Sequence, residues 1–133
     1  MLPTQTRIFV YAQPVDMRKS FDALIECVCE ALRQDPQSGA LFLFASKSGN
    51  SLKILWREAS GYSILYRRLD RGSFRLPDAV SGAASVLIDA RELAIILQGV
   101  EPATRKQRVK ALVKHAREKA LRVSESASTE APA

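Results

Sequence analysis

Metal-binding side chains are scarce in this chain, which holds one histidine, His115, and two cysteines, Cys27 and Cys29. The cysteines sit two apart in a helical pattern, so their side chains point about 200° apart around the axis and are poorly placed to bridge. With the histidine far along the sequence, no Cys and His ligands have zinc spacing, and two reduced, packed thiols are the expectation. A glycine-rich phosphate loop, a Ser/His/Asp order and a Cys/His pair are also missing, so neither a cofactor nor a catalytic constellation is expected. No apolar run approaches the roughly 20 residues that cross a bilayer. The opening residues MLPTQTRIFVYAQ lack a positive segment followed by an apolar stretch and a cleavage site, so the expectation is a cytoplasmic protein without membrane contact.

What the chain does have is enough apolar residue for a core. With 133 residues, 47% hydrophobic and 26% charged, it fits one globular domain with a tail left over. Its formal charge of +6 is unevenly placed. Residues 1–100 carry 12 basic and 10 acidic side chains, residues 101–123 carry 8 and 2, and residues 124–133 carry none and 2. A near-neutral body with a cationic appendage suits a polyanionic partner such as nucleic acid.

Periodicity outlines the elements. Arg7–Tyr11 (RIFVY) is rich in β-branched and aromatic residues and stops before Pro14, which predicts a first strand. Met17, Phe21, Leu24, Ile25, Val28 and Leu32 then draw one apolar stripe down about four helical turns, with Asp16 as the N-cap and Asp35-Pro36 and Gly39 ending it. Leu41–Phe44 (LFLF) is a short apolar run of the kind that forms a buried strand, and residues 47–50 make a tight reversal. From Lys53 to Phe74, KILWREASGYSILYRRLDRGSF predicts a hairpin with Gly61 available for its turn. Its strand middles are apolar on both faces, which suits the interior of a sheet better than an exposed edge.

Ser85–Ile88 predicts a last short strand. Asp89-Ala90-Arg91-Glu92 has the spacing of a capping box, and Leu93, Ile96 and Leu97 form the apolar face of a helix that ends at Gly99. The fold class expected is α+β. A mostly antiparallel sheet of four to five strands carries one long N-terminal helix on a face, with C-terminal helices beyond. The organisation expected is a domain over residues 1–101, a basic helical extension over 102–123 and a disordered tail over 124–133.

Four blocks, PVDMRKSFDAL (14–24), GALFLFASKSGNSLKILW (39–56), YSILYRRLDRGSFRLP (62–77) and LIDARELAIILQGVE (87–101), resemble, in order, a known family. It is the family of small accessory proteins encoded by the second open reading frame of the insertion sequence sixty-six elements, often labelled TnpB. These are distinct from the RNA-guided nucleases that share that label in other mobile elements. The resemblance implies a bacterial protein that acts beside a separate, larger transposase and does not itself cleave strands. It leaves DNA contact, transposase contact or both open. The family pattern leads to the expectation of only a short basic tail, so the reading of residues 102–133 rests on composition.

The candidate contact residues are cations. Arg67, Arg68, Arg71 and Arg75 crowd one end of the hairpin, with Arg18 and Lys19 as neighbours at the start of the first helix. Guanidinium groups bind phosphate bidentately, and Tyr66 or Phe74 can stack on exposed bases of a single strand. The plainer alternative pairs these arginines with Asp70 and Glu58 and assigns the aromatics to the core. Arg105, Lys106, Arg108, Lys110 and Lys114 lie in the basic segment, where attraction to nucleic acid is expected without sequence reading. A nuclease site built from Asp16, Lys19, Asp22 and Glu58 can be drawn, but a cap, a solvated face and a turn account for those residues more simply.

Two function classes follow. One is a DNA-binding accessory factor in transposition. The other is a module that binds the transposase without touching DNA, anchored by Leu41–Phe44 or Trp56. Oligomeric state is left open by the sequence.

Overall fold

The computed structural model describes residues 6–100, 113–114 and 117–119. The chain divides into two units, Met1–Glu101 and Pro102–Ala133. In the second, residues 113–114 and 117–119 are helical and exposed, which places Lys114 on a helical surface. Arg105, Lys106, Arg108, Lys110 and the tail 124–133 lie outside the described residues.

The first unit contains strands β1 (Ile8–Tyr11), β2 (Leu41–Ala45), β3 (Ser51–Glu58), β4 (Gly61–Arg68) and β5 (Ser85–Ile88), with helices α1 (Phe21–Glu30) and α2 (Ala90–Gln98). The sheet order is β4-β3-β2-β1-β5. Three pairings are antiparallel, as expected, while β1 and β2 run parallel, with α1 between them in the chain. The 29 residues between Tyr11 and Leu41 leave ample length for that crossover.

Strand alternation sends residues to two cores. Ile8, Val10, Leu43, Leu52 and Ile54 pack with Leu93 and Ile96 of α2. Phe9, Phe42, Phe44 and Leu55 pack with Leu24 and Val28 of α1. Helices therefore cover both faces, and each fully buried aliphatic or aromatic side chain contributes about 1.5–3 kcal/mol.

The long N-terminal helix expected from the stripe is not there. Its first turn is replaced by a local fold in which Asp16 Oδ1 accepts from the Arg18 amide at 2.9 Å and the Asp16 carbonyl accepts from the Lys19 amide at 3.0 Å. An aspartate that satisfies an amide two residues on favours a turn over a helix start. The helix begins after Ser20, whose side chain makes no capping bond, so Asp16 is not the N-cap. It also ends early. Arg33 adopts φ 56° and the Gln34 amide donates back to the Val28 carbonyl at 3.0 Å, a left-handed termination three residues before Pro36.

The hairpin departs from expectation in two ways. Glu58 pairs with Gly61, so Ala59 and Ser60 form the turn and Gly61 is the first residue of β4. More consequentially, β4 is a sheet edge, and Leu65 and Tyr66 are 39% and 52% exposed. Three further expected features form. Leu41–Ala45 is buried throughout, the Asp89 carboxylate accepts from the Glu92 amide at 2.8 Å, and α2 ends at Gly99 with φ 72°.

Candidate nucleic-acid interface

One end of the sheet gathers three connecting segments. The Val15 amide donates to the Ala45 carbonyl at 2.8 Å, which ties residues 12–20 to the end of β2. The Leu69 amide donates to Asn50 and the Phe74 amide to Gly49, at 2.8 and 2.7 Å, which ties the chain after β4 to the β2–β3 turn. That turn is held from within, where Asn50 Oδ1 accepts from the Ser48 and Ser51 hydroxyls at 2.7 and 3.2 Å. A backbone stitched in this way fixes where its side chains emerge.

The charged side chains there are mostly cationic. Arg18, Lys19, Lys47, Arg67, Arg68, Arg71 and Arg75 all lie on these segments or the strand ends beside them, and all are exposed. The sole ion pair among the described residues joins Arg18 to Asp16 at 2.7 Å. Neither Asp70 nor Glu58 pairs with the hairpin arginines, and Glu58 instead accepts from Trp56 Nε1 at 3.0 Å. Apart from Arg18, the exposed guanidinium groups of the rim form no ion pair among the described residues.

Register divides the arginines between faces. Arg67 opposes Leu52 and shares the α2 side of the sheet, whereas Arg68 opposes Ser51 and shares the α1 side with Tyr66 and Lys53. Lys53 was missed by sequence reasoning. It is only 7% exposed, its ammonium donates to the Lys19 carbonyl at 2.6 Å, and it lies 5.0 Å from the Tyr66 ring centroid. Its placement was implicit in the alternation, because Lys53 falls in line with Leu55 on the buried α1 face. Lys47 was not singled out because a turn lysine is unremarkable until its turn is seen beside Arg68.

Of the two aromatics expected to stack, only Tyr66 is accessible. Phe74 is 5% exposed and belongs to the α2-side core. Of the expected protein anchors, Leu41–Phe44 is buried, and Trp56 is partly buried against the same core.

The Asp16 carboxyl titrates at about 2, held down by hydrogen bonds from the Arg18 side chain and amide. The Arg18 guanidinium is pushed up by the same contact. Burial raises the Cys27 thiol, which disfavours the reactive thiolate. Asp16 and Glu58 lie at opposite ends of β3, about 20 Å apart by strand length. They do not converge on a metal, and no group of three or more His, Cys, Asp and Glu among the described residues is placed to hold one. No helix among the described residues is long and apolar enough to cross a membrane.

Comparison with known proteins agrees with the four sequence blocks. The chain is 36% identical over 103 residues to "Uncharacterized protein y4hO" of Sinorhizobium fredii (strain NBRC 101917 / NGR234), covering 76% of this chain and 88% of that protein. It is 30% identical over 95 residues to "Uncharacterized protein y4jC" of the same organism, covering 71% and 80%. No solved structure matches. The family model described as IS66 Orf2 like protein, TnpB_IS66, matches residues 6–115, which carries the likeness past residue 101 and into the basic segment. The chain belongs to the IS66 Orf2-like family of transposition-associated accessory proteins.

Proposed function

We propose that this protein is a non-catalytic, cytoplasmic accessory factor that binds element-end DNA through the basic rim and assists the transposase in assembling on it. The observation that carries the reading is the convergence of Lys19, Lys47, Arg67, Arg68 and Arg71 on one stitched sheet end without carboxylate partners. Such a surface repels itself and is relieved by a polyanion. Its arginines suit bidentate phosphate contacts, which position DNA without reading its sequence. The basic segment 105–122 adds a further, salt-sensitive attraction.

A fluorescence anisotropy titration with element-end DNA at two salt concentrations tests this. Binding at low-micromolar protein or tighter, weakening steeply as salt rises, is expected. Absence of binding at low salt overturns it and favours a second reading, contact with the transposase alone. That reading has its own support in β4, an eight-residue edge strand with Leu65 exposed, since an open edge can pair with a strand of another protein. Co-purification with the transposase, with and without DNA, separates the two.

A further inference from the structure

We infer that the α1 side of the rim takes single-stranded DNA, with a base stacked on Tyr66 and the adjoining phosphates on Lys19 and Arg68. This rests on the DNA-binding reading and deepens it.

Tyr66 is the element that calls for a base. It stands on the edge strand, so no neighbouring strand covers its outer side, and half of its surface is open to solvent. An exposed aromatic on a sheet surface, flanked by cations, is the stacking platform used by proteins that bind unpaired strands. Tyr62, four residues earlier on the same face, is a contrast. It is half-buried against the α1-side core, with Arg57 5.0 Å from its ring centroid.

Lys53 gives the second, independent observation. The residue is 7% exposed, and its ammonium lies 5.0 Å from the Tyr66 ring centroid and donates to a backbone carbonyl, with no carboxylate paired to it among the described residues. A cation held there without a counter-ion adds positive potential at the surface beside the ring. Arg68 emerges two residues beyond Tyr66 on the same face, and the Lys19 backbone is held at the other side by the Lys53 bond. Phosphates on either side of a stacked base therefore meet cations. A duplex cannot use this arrangement fully, because its bases are occupied by pairing and by their own stack.

The test uses the full chain and labelled oligonucleotides of one element-end sequence in three forms: single-stranded, duplex, and single-stranded with abasic sites. Wild type is expected to bind the single strand about tenfold or more tightly than the duplex. Tyr66→Ala is expected to lower single-strand affinity about tenfold, the loss of one stacked base, with duplex and abasic affinities unchanged. Tyr66→Phe, which keeps the ring, retains wild-type behaviour, and circular dichroism confirms that both variants fold. Equal binding of duplex and single strand, or a Tyr66→Ala loss equal on all three probes, overturns the inference and leaves the DNA-binding reading standing. Failure of every form to bind overturns both.

Discussion

Lys53 is the residue whose environment is least expected of its type. Replacing Lys53 by an apolar side chain of similar length keeps the packing of its stem but takes the donor from the Lys19 carbonyl. Lys53→Met is therefore expected to cost about 1 kcal/mol, read from urea melts, while weakening DNA binding. Asp16 makes a second residue-scale prediction. Its folded-state pKa of about 2 lies below the ordinary 3.8, so the stabilisation from the Arg18 contact is complete above the ordinary value and is lost as pH falls through about 2. Carboxyl NMR titration is expected to place the Asp16 midpoint near 2, and Arg18→Ala to return it toward the ordinary value. Some of these residues were legible in the sequence and some were not. Arg67, Arg68 and Arg71 stood out as a cluster, whereas Lys53 acquired its meaning only from the Lys19 carbonyl, 34 positions away in the chain.

Helix α2 was legible because its boundaries are written locally, in Asp89 and Glu92 at one end and Gly99 at the other. Asp89→Ala is expected to cost about 1 kcal/mol through the lost cap. Gly99→Ala is expected to cost about 1–3 kcal/mol, because φ 72° with ψ 170° is a glycine conformation and an added Cβ lies 2.7 Å from Leu69 Cδ1. Thermal or urea denaturation ranks the two. Helix α1 was half legible. Its apolar stripe correctly identified Leu24 and Val28 as core, yet Met17 continued the same spacing across a segment where the Asp16–Arg18 contacts win. The β4 strand shows a different limit. Its alternation gave the strand, but alternation describes two faces and says nothing about which strands lie on either side. Its edge position, and so the exposure of Tyr66, depends on where β1 and β2 settle.

At the scale of the molecule, the near-neutral count over residues 1–100 conceals a polar arrangement. Most of its cations collect at one sheet end, and the basic segment follows in sequence after α2. The family match runs through residue 115 and so takes in the first part of that segment. Deleting residues 102–133 is expected to lower DNA affinity and its salt dependence without abolishing binding, since the rim remains. A truncated chain that binds as the full chain does, with the same salt slope, would show that the segment takes no part.

The central claim is that the rim contacts phosphate, and its most direct measurement is the salt slope of DNA binding for the full chain and for the variant Arg67→Ala, Arg68→Ala, Arg71→Ala. If all three arginines contact duplex phosphates, the variant's slope of log affinity against log salt is shallower by about 2–3, with affinity reduced in parallel. An unchanged slope and affinity in a correctly folded variant would contradict the account.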